Sequence, residues 1–344
     1  MKMKKLLFLC SAFSILAIAC SSSSGNVKPN NTLANLTLNE VVSQDSSGNV
    51  SFTAKADNAV TYDFDFGNGV IQTVATGIVT YKYPATGNYV VNVIAKNSSG
   101  QTLSTSASIA VSLKISLFWS DEFDTDGAPN GNKWGYDIGN GSGGWGNNEL
   151  EYYTNRSQNV IVQGGILKIT ALKENYNGFS YTSARILTKA KFSFTYGRVE
   201  MKAMLPAGVG TWPALWLLGN NIDQIGWPAC GEIDIMEQRG VELNKIYGTL
   251  HYPGHSGGNG NGSTINVANT TTQFHIYAMD WSPASIKLSV DGQVYQTVAN
   301  TAQLPFNSDF FFIFNVAMGG NFAGSVDPSV TSATMQVDYV RVYK

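Results

Sequence analysis

Alternation of apolar and polar positions dominates this chain from residue 37 to its end. In NYVVNVIAK, Tyr89, Val91, Val93 and Ala95 fall on one face; in GRVEMKAML, Val199, Met201, Ala203 and Leu205 do the same. A two-residue period sends successive side chains to opposite faces, so each stretch reads as a half-buried strand. SIKLSVDGQVYQTV repeats the pattern on both sides of Asp291-Gly292, a residue pair suited to a type I′ turn, and reads as a hairpin. DFFFIFNVAMGG is almost wholly apolar and reads as a buried strand. No stretch shows a sustained 3.6-residue apolar period, so the fold class is expected to be all-β.

Turn signals divide the strands into two sets. VSFTAKA, TYDFDFG, TYKYPATGNYVVNVIAKN and STSASIAVSL lie between residues 37 and 113, separated by Asp45-Ser-Ser-Gly and Asn97-Ser-Ser-Gly. Their spacing suits a small β-sandwich. Residues 114–344 differ in texture: all 7 tryptophans lie here, among Gly-rich loops and further strand patterns. So many short strands suit a two-sheet sandwich of jelly-roll type, whose curved sheet offers a long face to a chain-like ligand.

The N-terminus bears on location. MKMKK is a short basic leader, LLFLCSAFSILAIA is an apolar run, and Cys20 follows directly. The run is too short for a stable membrane span and ends in small residues, the pattern of an export signal covering residues 1–19. A Cys in that place resembles the lipobox of bacterial lipoproteins, which implies a lipidated Cys20 anchored in the outer membrane or at the cell surface. Residues 20–36, which contain SSSSGNVKPNNT, read as a flexible tether.

Loss of residues 1–19 removes three lysines and no acids from the 22 basic and 24 acidic residues, leaving a net charge of −5. With no basic stripe, nucleic acid is not an expected partner. Charged residues make up 13% of the chain, about half the usual share, and such a surface suits an exported β-protein handling neutral polymers; the chain is expected to be a monomer. Cys230 is the only cysteine beyond Cys20, so the mature chain has no disulfide available except through the anchor residue. Beside Trp227, Pro228 and Ala229 it reads as a small core residue rather than a nucleophile. The Asn-X-Ser/Thr triplets at Asn97 and Asn269 are read as silent in a bacterial chain.

GEIDIMEQRG packs three acids into six positions, residues 232 to 237. In a regular strand Glu232, Asp234 and Met236 share one face and Glu237 points away. That is either a solvated Glu237 beside a polar rim or a β-bulge, in which one extra residue returns Glu237 to the face of the other two. Glycoside hydrolysis needs two carboxyl groups about 5–5.5 Å apart when configuration is retained. With a bulge, Glu232 and Glu237 have backbones roughly 13 Å apart, and two long side chains leaning across the shorter Asp234 can close that gap.

The motif Glu-Ile-Asp-Ile-Met-Glu resembles the active-site strand of glycoside hydrolase family 16 in its bulged form. FWSDEFD, GWGNNELEYYT, TWPALWLLG, WPACGEIDIMEQRG, YGTLHYPG, FNVAMGGNFAG and VDYVRVYK match in order, covering about Phe118 to Lys344. The resemblance implies Glu232 as nucleophile, Glu237 as general acid and then base, and Asp234 between them, hydrogen-bonding the nucleophile. GWGNNELEYYT with GTLHY looks most like the laminarinase branch, implying an endo-acting β-1,3-glucanase that tolerates mixed 1,3-1,4 linkages. Two other readings stay open: a hydrolase of marine galactans (agarase or carrageenase type), and a non-catalytic glycan-binding lipoprotein.

The same resemblance implies sugar contacts from Asn148 and Arg185, minus subsites lined by Trp212, Trp216 and Trp227, and His251 near the leaving group. A tryptophan in a sandwich is as readily core as cleft; Trp119, Trp134 and Trp281 are assigned to the core, and Trp216 stands between the two. His251 has a structural imidazole as its alternative, and His255 and His275 read as structural. Catalysis is expected to need no cofactor, and three scattered histidines do not make a zinc site. Family relatives imply a structural calcium held by Glu122, Gly165 and Asp338, against ordinary surface charges as the alternative. TYDFDFGNG followed by YKYPATGNYVVNVIAKNSSG resembles a PKD-type immunoglobulin-like module, with Phe64 and Asn68 in place of its usual Trp and Asp. Asp63 and Asp65 are expected to fix a turn there, and the module to serve as a spacer or weak binder.

Overall fold

The computed structural model describes residues 31–344. The leader, its cleavage site and Cys20 lie outside the described residues. Two compact units divide after Ser112.

The first unit is a β-sandwich of a three-stranded sheet, ordered Ala34–Val42, Asn49–Asp57, Ile78–Lys82, and a four-stranded sheet, ordered Ile71–Val74, Thr61–Asp65, Gly87–Lys96, Thr102–Val111. Alternate residues Val91, Val93 and Ala95 are fully buried with Phe52, Phe64 and Phe66, as the two-residue period requires. The first strand begins at Ala34, inside the stretch expected to be tether. Leu33 is buried and Asn35 donates to Asp57 at 2.7 Å, so sandwich contacts start earlier than composition suggests. Asp65 does fix a turn, accepting from the Gly67 amide at 2.9 Å. Asp63 does not: it faces Lys96 at 2.5 Å and accepts from Thr73 across the sheet.

The second unit, Leu113–Lys344, is a jelly-roll sandwich. Its seven-stranded sheet runs Asn261–Asn266, Lys245–His251, Glu232–Gln238, Thr211–Gly219, Phe310–Met318, Arg185–Leu187, Gly135–Asp137. A ten-stranded sheet lies behind it, with Leu167–Tyr176, Ser332–Tyr343, Gly197–Met204 and His275–Trp281 at its middle. Val199, Met201, Ala203 and Leu205 meet Leu215, Leu217, Phe312 and Phe314 between the sheets. Every side chain of Phe310–Met318 is buried. Asp291 and Gly292 both have positive φ, 49° and 81°, as a type I′ turn demands. Among the described residues the only α-helices are two four-residue turns, Ile222–Ile225 and Gly320–Ala323.

Candidate active site

The acid strand, Glu232–Gln238, carries one residue more than its neighbours can match. Toward Thr211–Gly219, Trp216 pairs with Asp234 and Leu215 with Met236. Toward Lys245–His251, Asp234 pairs with Thr249 and Glu237 with Tyr247. Ile235 is therefore the extra residue of a bulge. Ile233, Ile235 and Met236 all sit in the core, so two successive side chains point inward and the alternation restarts one position late. Glu232, Asp234 and Glu237 consequently share the outer face, opposite Leu218, Trp216 and Ala214.

Cross-strand register then assembles the rest of the site. Tyr247, Glu237, Ala214, Asn315, Arg185 and Asp137 form one row across the sheet. Asp234, Trp216 and Ile313 lie in the next row, and His251, Glu232, Leu218 and Phe311 in the one beyond. Residues far apart in sequence thus meet on one surface because strands pair at fixed spacing.

Each acid has a defined contact. The Trp212 indole donates to Glu237 Oε1 at 2.8 Å. His251 Nε2 lies 3.2 Å from Asp234 Oδ2 and 3.7 Å from Glu232 Oε1. Asp234 thus has the His251 imidazole as its polar partner, where a hydrogen bond to Glu232 was expected. Burial, reinforced by the charge of Asp234, pushes both Glu232 and Glu237 up to about 8. Burial also holds Asp234 well above the usual carboxylate range. His251 and Arg185 pull Glu232 the other way.

Arg185 is buried between two indoles, its guanidinium 4.4 Å from the Trp145 ring centroid and 4.9 Å from that of Trp216. Asp137 lies 2.9 Å from its Nε. Trp216 donates to Asn315 at 2.8 Å and so belongs to the site's floor rather than to the inter-sheet core. Trp227 is 47% exposed, with its ring beside His251, and Trp212 packs on Phe322. Asn148 is exposed and donates to Asn321. Trp134 and Trp281 are buried, and Trp119 packs against the core from its edge. Cys230 is fully buried and its thiol is pushed up to about 11 by that burial, which makes it inert. His275 pairs with Asp291 at 2.7 Å.

Sequence reading passed over a buried polar network beneath this face. Asn315 donates to the Tyr153 hydroxyl, which donates to Glu149 Oε2, each at 3.0 Å. Glu151 is fully buried beside Glu149, accepts from the Met318 amide at 2.7 Å, and is pushed far up by burial. This network holds the short loop Gly144–Asn148, where Trp145 and Asn148 adopt φ of 55° and 57°. Its signal was an Asn within an otherwise apolar strand and a Glu-Leu-Glu ahead of paired tyrosines.

The carboxylates expected to hold calcium face cations of the chain itself. Glu122 forks onto Arg341, with bonds of 2.7 to 3.2 Å, and Asp338 pairs with Lys202 at 2.7 Å. Each carboxylate is neutralised by the protein's own cation, which an ion bound there would have to displace.

The family model for glycosyl hydrolases family 16 matches residues 147–341, from the Asn148 loop through the acid strand to the final strand. The chain belongs to glycosyl hydrolases family 16. A model for the beta-glucan synthesis-associated protein SKN1/KRE6/Sbg1 also matches, over residues 52–234, and stops short of Glu237. The chain is 44% identical to a beta-glucanase of Rhodothermus marinus over 66% of its own length and 85% of that protein's. It is 39% identical to a glucan endo-1,3-beta-glucosidase of Cryptopygus antarcticus, covering 65% and 90%. Among solved structures, the laminarinase catalytic domain of Thermotoga maritima superimposes with a TM-score of 0.63 at 42% identity, covering 67% of this chain and 98% of that one.

Proposed function

We propose that this family 16 chain is a retaining endo-glycosidase that hydrolyses β-1,3-glucan such as laminarin and accepts mixed 1,3-1,4 linkages. The observation that carries the reading is the bulge, which sets Glu232, Asp234 and Glu237 on the face where Arg185, Trp212 and Trp227 gather. The names of the relatives supply the substrate class.

In this reading Glu232 attacks the anomeric carbon while Glu237 protonates the departing glycosidic oxygen, giving a glycosyl-enzyme and a shortened chain. Glu237, now ionised, takes a proton from water as the water displaces Glu232, and the β configuration is restored. Burial raises Glu232 and Glu237 alike, to about 8, so the pair retains a proton at neutral pH; the charges of His251 and Arg185 favour the ionised form of Glu232, the nucleophile, and leave the proton for Glu237 to deliver. Nearby Asp234, with His251 against it, keeps the acids from losing their protons together.

Product analysis on laminarin, lichenan, agarose and carrageenan side by side tests the reading. Laminari-oligosaccharides from laminarin are expected, and cleavage of agarose or carrageenan alone would move the protein to the galactan class. We further propose export with a lipid anchor at Cys20, supported by the leader pattern, and a PKD-type spacer role for the first unit, supported by its motif. The enzyme is proposed to act as a monomer.

A further inference from the structure

Ile235 has no opposite number in either neighbouring strand. A bulge residue leaves its backbone polar groups off the ladder, and buried groups of that kind need another partner. Here the partner comes from the other sheet: the Tyr295 hydroxyl donates to the Ile235 carbonyl at 3.2 Å.

Tyr295 reaches that point through a second bulge. In its strand, Gln293–Ala299, Gln296 pairs with Leu288 and Val294 with Ser289, so Tyr295 is itself an extra residue. Its own carbonyl accepts from the Ser263 hydroxyl at 3.2 Å. Ser263 in turn pairs with Gly248, the residue of Lys245–His251 that the acid-strand bulge skips. Gly248 leaves the opening: a Cβ there would lie 2.2 Å from the Tyr295 hydroxyl and 2.6 Å from Leu288 Cδ1. Two bulges in two sheets are thus coupled by one side chain.

We propose that Tyr295 is a positioning residue for the reaction, locking the bulge at Ile235 so that Glu237 stays on the face of Glu232. The proposal rests on Glu232 and Glu237 being the reacting pair. Without the hydroxyl, the strand samples the unbulged register, in which Glu237 turns inward and leaves the face it shares with Glu232.

The test is Tyr295→Phe, which keeps the ring and removes only the donor. Three readouts on purified enzyme are expected to move: amide hydrogen exchange across residues 234–238 speeds up, kcat on laminarin falls roughly tenfold or more with KM nearly unchanged, and the limbs of the pH–rate profile shift. Ser263→Ala, which frees the same tyrosine from its other end, should change kcat in the same direction by a smaller factor. A lowered melting temperature with wild-type kcat and an unmoved pH profile would reduce Tyr295 to ordinary packing and overturn the proposal. If Tyr295→Phe does not fold, unchanged exchange and kcat in Ser263→Ala overturn it instead. A wild-type enzyme inert on every glucan refutes the functional reading, while the exchange experiment still decides whether the tyrosine locks the bulge.

Discussion

Trp212 and Glu237 are joined by a 2.8 Å hydrogen bond from indole nitrogen to carboxylate oxygen. The two residues come from adjacent antiparallel strands, and only the extra residue at Ile235 turns the carboxylate toward that indole. The bond favours the charged form of Glu237 and opposes the larger effect of burial.

Trp212→Phe removes this donor. The Glu237 pKa then rises further, so the alkaline limb of kcat/KM is expected to move to higher pH, with kcat falling about tenfold from lost orientation. A limb that stays in place or moves down would show that Glu237 is not the acid being titrated.

Glu232→Ser should abolish hydrolysis and leave glucan binding largely intact. Glu237→Ala should be inactive on glucan yet still form a glycosyl-enzyme from an activated substrate whose leaving group needs no proton. Azide should then restore turnover and give a β-configured adduct. An α-configured adduct contradicts retention, and equal residual activity in both variants removes this strand from catalysis.

Glu237→Gln should stabilise the fold in a pH-dependent way. A carboxyl raised to about 8 in the folded state favours folding while protonated; that contribution is complete below the unfolded value of about 4.3 and is lost as pH rises toward 8. Glutamine cannot ionise, so its advantage over wild type should be small at pH 4.5 and grow to roughly 5 kcal/mol by pH 8. Melting temperatures at the two pH values check the sign, and a larger gain at pH 4.5 contradicts it.

A chain beginning at Lys114 should retain wild-type kcat on soluble laminarin, because every residue of the site lies in the second unit, Leu113–Lys344. A large loss of kcat would assign the first unit a part in the site.

Cys20→Ala should move the protein from the membrane fraction to the soluble one. Unchanged fractionation, assayed by blotting, refutes the lipid anchor.

The two-residue period by itself determined the strands, because a half-buried strand must alternate: Val199, Met201 and Ala203 could face only one core. Local motif also identified the acid strand and offered a bulge as one of two readings, since Glu-Ile-Asp-Ile-Met-Glu has one residue too many for three acids to share a face of a regular strand. Tertiary structure alone decided what surrounds those acids. Arg185 stacks between Trp145 and Trp216, and Asn315 meets Glu237's row, through register between strands distant in sequence. The ion pairs of Glu122 with Arg341 and of Asp338 with Lys202 were also decided there, because the cations reach the acids from elsewhere in the chain. Side-chain period is a local property and survives in the linear sequence; hydrogen-bond partners and burial depend on which strands pair, and that exists only once the sheets have formed.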